Sequence, residues 1–217
     1  MNNLNIEERI RDYLSSEAGF TQDEIESMFG FTVYISMAIS MYAHRNQRRE
    51  DGNPYYLHPF YVRKRYMEFT GMTEEDPFCI DRDLMEEYGI PFEGVQEVCI
   101  MHDVLEDTEV TLEEIREIYN EYGYKDYFNM YIERPLLLVT HDKNMNYDEY
   151  IDEVLKNRTA SMVKMADMAD NLNIMSLGKF EEKEENRAIG YIRYSKRIND
   201  KYHFIEGCRE YLKAFNS

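Results

Sequence analysis

The spacing of hydrophobic positions along the chain predicts a protein built from helices. Apolar residues recur at intervals of three and four positions, as at Ile25, Met28 and Phe29, and this spacing places them on one face of a helix. The positions between them are rich in Glu and Lys, which favour helices. Two capping-box patterns, at 21–24 and 111–114, predict the starts of two helices.

Turn residues between the periodic stretches divide the chain into elements. The predicted helices are Ile6–Ser15, Gln22–Arg45, Pro59–Phe69, Phe92–Leu105, Leu112–Tyr122, Asp126–Val139, Tyr147–Lys156, Thr159–Ser176 and Lys183–Ala214, with loops at Asn46–Pro54, Gly71–Pro77, Gly89–Pro91 and Thr140–Asn146. Alternation is weak, so no sheet is predicted. The sequence predicts one all-α domain over 1–217, with its motifs at about 22–180 and a C-terminal helix at 183–214 that closes the functional site.

Acidic residues outnumber basic ones, and their uneven distribution sets the expected partners. The 217 residues carry a net charge of −18 and are 43% hydrophobic, which is sufficient for one sizeable core. Nucleic acids and anionic membranes repel such a chain, so neither is an expected partner. The stretch 44–65 has six basic and two acidic residues, whereas 66–157 has 25 acidic and six basic ones. We call 44–65 the basic segment, and its arginines are candidate phosphate ligands.

The cellular compartment is predicted from what the sequence lacks. The first thirteen residues contain no apolar stretch of the kind found in signal peptides, and the longest apolar runs are too short to span a bilayer. Cys79, Cys99 and Cys208 are widely spaced and form no C-x-x-C motif, which is typical of reduced thiols. We therefore expect a cytoplasmic protein.

The densest group of chemically active residues follows position 101. His102 and Asp103 are adjacent, and Glu106 and Asp107 lie one helical turn later. An imidazole beside a carboxylate suits a divalent cation such as Mn²⁺, Fe²⁺ or Zn²⁺. Two further acids would then stand where a general base is needed. The alternative is a solvated helix end with a cap.

Two other stretches contain candidate ligands. His44 ends a predicted helix at the start of the basic segment, whose alternative interpretation is a solvated loop with a structural histidine at each end. Asp167 lies in a run of small and apolar residues, where a carboxylate is costly unless it is paired or bound to a metal. Asn171 shares the helical face of Asp167, whereas Asp170 is expected to be a surface acid or a capping partner.

Taken together, these stretches resemble a known family. His44, His102-Asp103 and Asp167 follow the order H…HD…D of the HD-domain metal-dependent phosphohydrolases. The segments AHRNQRREDGNPYYLHP, HDVLEDTEVTLEEI and VKMADMADNL resemble the hydrolase domain of the RelA/SpoT family, including its small stand-alone members. The resemblance covers about 33–177. It implies a helical HD-domain fold, one divalent metal, usually Mn²⁺ with Fe²⁺ or Zn²⁺ as alternatives, and removal of the 3′-pyrophosphate from guanosine tetra- or pentaphosphate.

The resemblance also implies a role for each matching residue. It implies His44, His102, Asp103 and Asp167 as metal ligands, and Glu106 and Asp107 as the acids that position and activate water. Asn171, Arg187 and Tyr191 match substrate-contacting residues, and the basic side chains Arg45, Arg48 and Lys164 are expected to bind phosphate. Arg48 and His58 match supporting residues that shape the pocket, and neither is assigned direct chemistry.

The sequence departs from the family at positions that recognise the base of the nucleotide in related enzymes. Met168, Asp170 and Ile174 stand where related enzymes carry an Arg, a His and a base-contacting Thr, and no Lys or Arg lies between Arg11 and Arg45. The leading hypothesis is a guanosine-3′,5′-bis(diphosphate) 3′-pyrophosphohydrolase, with a small phosphorylated nucleotide as partner. The alternatives are an HD-domain hydrolase of another nucleotide, such as a nucleotidase or dinucleotide phosphatase, and a non-catalytic nucleotide-binding module. The sequence predicts no oligomeric state.

Overall fold

The computed structural model describes residues 4–73, 75, 80–173 and 181–216, and it confirms the all-α prediction. Within these residues the chain forms helices joined by short turns, and the β-type pairing is a single bridge between Arg48 and Pro54. The helices are α1 (Ile6–Ser16), α2 (Gln22–Met28), α3 (Thr32–Ala43), α4 (Leu57–Thr70), α5 (Arg82–Glu87), α6 (Val95–Met101), α7 (Val104–Asp107), α8 (Leu112–Glu121), α9 (Lys125–Tyr127), a π-helical turn (Phe128–Ile132), α10 (Glu133–Val139), α11 (Tyr147–Val154), α12 (Arg158–Asn171), α13 (Glu182–Tyr202) and α14 (Phe204–Phe215).

The predicted continuous helix over 22–45 is wrong, because the chain turns between α2 and α3. Phe29 leaves the helical path, is buried, and stacks on Tyr122 with their ring centroids 4.8 Å apart. The Tyr124 hydroxyl donates to the carbonyl oxygen of Gly30 at 2.7 Å. The turn therefore places the Phe29 ring against α8, and a distant tyrosine satisfies the carbonyl group that the break leaves without a helical partner.

The C-terminal helix is also interrupted, so the prediction of one helix over 183–214 is wrong. His203 adopts a left-handed backbone with φ of 55°. The Asn199 side chain accepts the N–H of Ile205 at 2.8 Å, which satisfies a free donor at the start of α14. The break lets Phe204 stack on Tyr202 and bury its ring. Burial of this aromatic ring outweighs the cost of the left-handed residue.

Two smaller differences lie near the predicted loops. The predicted helix over 92–105 starts later, at Val95, and is divided into α6 and α7 by a turn at His102 and Asp103. Helix α5 was not predicted, because its six residues are too few to show a clear period. The end of the predicted loop at 71–77, the end of the predicted helix at 159–176, Cys79 and Ile174 lie outside the described residues.

Helix α12 occupies the centre of the fold. It packs against α4, α6, α10 and α13, and most of its side chains are buried on all sides. The start of α4, the end of α6 and the middle of α12 therefore meet in the interior. No helix in the described part of the chain is both long enough and apolar enough to cross a membrane.

Candidate metal centre

The start of α6 is fixed by a glycine that no other residue can replace without strain. Gly94 precedes the helix with φ of +74°, and a Cβ atom there would lie 2.4 Å from the carbonyl oxygen of Tyr131. All seven residues of α6, Val95–Met101, are buried. The helix is therefore held on every side, and it delivers His102 into the interior at its C-terminal end.

Three buried side chains converge where α4, α6 and α12 meet. His58, His102 and Asp167 place one ligand atom each within 4.8 Å of one another, a spacing that can hold a metal ion. The His58 Nε2 atom lies 3.2 Å from Asp167 Oδ1, and the His102 Nε2 atom lies 3.7 Å from the same oxygen. Asp103 flanks the group, with its Oδ2 atom 3.1 Å from His102 Nε2 and 3.8 Å from His58 Nε2.

His102 has the hydrogen-bonding pattern of a metal ligand. Its Nδ1 atom is 2.8 Å from the carbonyl oxygen of Cys99, which can only accept, so Nδ1 is the protonated nitrogen. Its Nε2 atom is buried and has no hydrogen-bond partner in the described part of the chain. A buried nitrogen that faces two carboxylates, with the other nitrogen fixed by a carbonyl group, fits a divalent cation. Burial lowers the pKa of His102, but the carboxylates of Asp103 and Asp167 raise it above its usual value in the metal-free protein.

His58 is held at both of its nitrogens. Its Nδ1 atom is 2.9 Å from Asp170 Oδ2, while Nε2 faces Asp167. Asp170 is 2% exposed, so the prediction of a surface acid is wrong. Because Asp170 follows Asp167 by three positions on α12, both carboxylates point to the same side of the helix.

Asp167 is the most heavily paired group of the centre. The Lys164 Nζ atom donates to its Oδ2 at 2.8 Å, and the Asn171 amide donates to its Oδ1 at 2.5 Å. Burial raises the pKa of Asp167, yet the Lys164 charge and the nearby imidazoles hold this pKa well below the usual range. Two residues expected to contact substrate, Lys164 and Asn171, therefore orient a candidate ligand in this structure.

The structure places His44 beside the group formed by His58, His102 and Asp167, not within it. His44 is fully buried, its Nδ1 atom lies 2.6 Å from Gln47 Oε1, and its ring packs against Tyr55 at 4.9 Å. The Tyr55 hydroxyl donates in turn to Asp103 Oδ2 at 2.8 Å. Burial lowers the pKa of His44, so this imidazole is neutral at neutral pH.

A signal for His58 was present in the sequence. His58, Val62 and Tyr66 are spaced by four residues and form the buried stripe of α4. A histidine at the end of such a stripe lies over the core. The same spacing argument applies to His44 at the end of α3, so the local pattern does not distinguish the two.

The acidic pair after His102 lies at the edge of the centre. Glu106 is half-buried, and its Oε2 atom accepts the backbone N–H of His141 at 2.9 Å, which fixes the carboxylate against the loop at 140–146. Asp107 is exposed, and its Oδ1 atom lies 4.0 Å from the Lys143 Nζ atom. The two acids predicted to act together therefore have different surroundings.

The arginines of the basic segment make two kinds of contact. Arg45 donates to the carbonyl oxygen of Tyr42 and lies 4.1 Å from the centre of its ring, while Arg48 donates to the carbonyl oxygens of Arg45 and Gln47. These contacts stabilise the loop after α3. Arg49, which was not singled out as a site residue, points to the metal centre, with its NH1 atom 3.8 Å from Asp170 Oδ2.

Arg187 and Tyr191 form a pair on α13, where the Arg187 guanidinium donates to the tyrosine hydroxyl at 3.1 Å. One turn later, Tyr194 packs on Tyr147 at 4.9 Å, and Tyr147 lies 6.0 Å from the Lys164 ammonium. These contacts link α13 to the side of α12 that carries Lys164. The structure gives no contact between the Arg187–Tyr191 pair and the candidate ligands.

Metal binding is expected to release protons. Burial alone lowers the pKa of His58, but its hydrogen bonds to Asp167 and Asp170 raise this pKa to about 9 from an ordinary value of 6.5. Below pH 9 the metal-free protein therefore carries an imidazolium that must lose a proton before Nε2 can bind a metal. We expect the apparent affinity for Zn²⁺ to rise about tenfold per pH unit between pH 6.5 and 9, as measured by competition with a chelator.

The same shift predicts the pH dependence of stability without metal. Because the pKa is higher in the folded state, its stabilising contribution is complete below pH 6.5 and is lost as the pH rises through 9. Urea unfolding of the metal-free protein should therefore give a lower free energy of unfolding at pH 9 than at pH 6.5. A His58→Gln variant is the control, and an equally steep decrease in that variant would assign the effect to other groups.

Comparisons with known proteins find similar solved structures, one of which comes from a metazoan. That structure is described as "A metazoan ortholog of SpoT hydrolyzes ppGpp and plays a role in starvation responses". It shares 21% sequence identity with this chain, the alignment covers 84% of this chain and 94% of that one, and the TM-score is 0.49. No family model and no curated protein matches the sequence.

Proposed function

We propose that this protein is a metal-dependent phosphohydrolase. The observation that carries the proposal is the convergence of His58, His102 and Asp167 in the interior, where the buried Nε2 atom of His102 faces the carboxylates of Asp103 and Asp167. Polar atoms of this kind are costly to bury without a partner, and a divalent cation is the partner that suits two imidazoles and carboxylates. The resemblance of the surrounding motifs to HD-domain phosphohydrolases points to the same chemistry.

The proposed ligands are His58, His102, Asp103 and Asp167. His58 takes the place that the motif comparison gave to His44, because its Nε2 atom faces both aspartates. The Nε2 atom of His44 is also buried without a hydrogen-bond partner among the described residues, but His44 lies outside the group formed by His58, His102 and Asp167. When bound, a divalent ion would polarise a phosphoryl oxygen and acidify a water molecule. A set of two nitrogens and two carboxylates suits Mn²⁺ or Fe²⁺ as well as Zn²⁺, and Mn²⁺ is the first metal to test.

The remaining residues are proposed to orient the reactants. Glu106, held by the backbone of His141, is proposed to orient the attacking water and accept its proton, and we favour it over the exposed Asp107 as the base. Lys164 and Asn171 fix the Asp167 carboxylate, so that its geometry does not change during the reaction. Arg187 is proposed to offset the charge of the substrate phosphates from α13.

The proposed substrate is guanosine tetraphosphate or pentaphosphate. In the reaction, the water oxygen bonds to the phosphorus next to the ribose and the bond from that phosphorus to the 3′ oxygen breaks. The 3′ oxygen takes up the proton that Glu106 accepted from the water, and pyrophosphate leaves. This substrate is supported by the elaborated motifs around the three ligand stretches, which resemble those of the RelA/SpoT hydrolases.

The test is to identify the product formed by purified protein. Metal-stripped protein is incubated with guanosine tetraphosphate, with and without Mn²⁺, and the products are separated by anion exchange. We expect pyrophosphate and guanosine diphosphate in the sample with Mn²⁺ and no turnover in the sample without it. Binding of the nucleotide without turnover under any of the three metals would favour the non-catalytic nucleotide-binding module.

A second candidate is a hydrolase of a different nucleotide. It is favoured by Asp170, which pairs with His58 at a position where the family carries a His, and by buried Met168 in place of an Arg. Nucleoside monophosphates and dinucleotides tested beside guanosine tetraphosphate decide between the candidates. Release of orthophosphate from one of these, with guanosine tetraphosphate intact, would support the second candidate.

A further inference from the structure

Two carboxylates of α12 hold opposite nitrogens of one imidazole. Asp167 Oδ1 lies 3.2 Å from His58 Nε2, and Asp170 Oδ2 lies 2.9 Å from His58 Nδ1. All three residues are buried. Since a carboxylate only accepts, the contact with Asp170 fixes a proton on Nδ1 and leaves Nε2 as the nitrogen that can bind an ion.

Two arginines of the basic segment are directed at the same carboxylate. Arg49 NH1 lies 3.8 Å from Asp170 Oδ2, and Arg65 Nε lies 3.6 Å from Asp170 Oδ1. Both nitrogens are buried and without a hydrogen-bond partner in the described part of the chain, so they act on Asp170 as charges. They compensate the charge of a buried carboxylate, while the hydrogen bond of Asp170 is made to His58. Arg49 and Arg65 of the basic segment therefore stabilise a buried carboxylate.

We propose that Asp170 is a positioning residue that orients His58 for metal binding through Nε2. The inference rests on the proposed function, since it requires a metal on His58. Carboxylates behind ligating histidines fix the tautomer and the ring orientation, and their loss commonly lowers metal affinity 10- to 100-fold. Arg49, beside Oδ2, and Arg65, beside Oδ1, balance the charge of the Asp170 carboxylate.

The first test measures metal affinity without any substrate. Asp170→Asn keeps the shape of the side chain and removes its charge, and we expect a loss of about 10- to 100-fold in Zn²⁺ affinity. Asp148→Asn is the matched control, because Asp148 also faces two arginines, Arg193 and Arg197, but is exposed. The control should bind Zn²⁺ like the parent protein.

A double-mutant cycle separates positioning from a general structural effect. In a His58→Gln background, Asp170→Asn should cause no further loss of affinity, because the ring that Asp170 orients is absent. An equal loss in both backgrounds would overturn the proposal. The absorption spectrum of bound Co²⁺ should change in Asp170→Asn and be unaltered in Asp148→Asn, which loss of stability alone would not produce.

A measurement on the parent protein tests the proposal without requiring that any variant folds. Long-range ¹H–¹⁵N correlation spectra of the Zn²⁺-bound protein should show His58 protonated at Nδ1 and bound through Nε2. Binding through Nδ1 would overturn the role of Asp170 while leaving the metal site intact. Absence of Zn²⁺, Mn²⁺ and Co²⁺ binding by the parent protein would instead refute the proposed function, so the two failures are distinguishable.

Discussion

Replacing His58 with glutamine is expected to abolish specific metal binding and to lower kcat/KM for the substrate by on the order of 10³-fold, because the ion supplies several kcal/mol of transition-state stabilisation. Removal of the imidazole also leaves Asp167 and Asp170 without their shared partner. Metal content is measured by mass spectrometry after dialysis, and turnover by release of pyrophosphate.

His44→Gln is the matched variant for this experiment. His44 and His58 are both buried, and both rings contact Tyr55, so the two substitutions disturb the packing to a similar extent. We expect His44→Gln to retain the metal and to lose about tenfold or less in activity, since His44 acts only through its neighbours. If His44→Gln loses the metal and His58→Gln keeps it, the ligand set given by the motif comparison is right and ours is wrong.

The helix starts were predictable because the interactions that set them are local. At the start of α8, the Thr111 side chain accepts the N–H of Glu114, and the Glu114 carboxylate accepts the N–H of Thr111. Both contacts lie within four residues of sequence. The helix breaks at Phe29 and His203 depend on aromatic contacts across the fold or on a side-chain cap six residues away, and neither turn is marked by proline.

Within the site, the sequence predicted which segments of the chain contribute residues better than it predicted which side chains face one another. Asp167 was recognisable because a carboxylate in an apolar run needs a partner, and the structure gives it Lys164 and His58. The choice between His44 and His58 depends on how α3 packs on α6 and how α4 packs on α12, which no local pattern contains. The role of Asp170, which the sequence predicted to be a surface acid or a capping partner, depends on the same packing.

Asp167→Asn is expected to have the second large effect, because it removes a proposed ligand and the charge that balances Lys164. Breaking a buried ion-paired group in this way costs roughly 3–5 kcal/mol, so the free energy of unfolding should fall by about this amount without metal. The Lys164 ammonium would then be buried with Tyr147 and Tyr150 as its aromatic neighbours and without its carboxylate. Urea unfolding, followed by circular dichroism, measures the difference.

The response of the same variant to metal tests the ligand role separately from stability. An ion that binds only the folded state stabilises it by about 2.7 kcal/mol at one hundred times its Kd, so Mn²⁺ should raise the free energy of unfolding of the parent protein. The parent-like control is Asp200→Asn, whose carboxylate pairs with Lys196 on the exposed side of α13. Asp167→Asn should gain nothing from Mn²⁺, because a neutral amide is a weak ligand for this ion. A gain equal to that of the parent protein would remove Asp167 from the ligand set and leave its charge pairing with Lys164 as its only role.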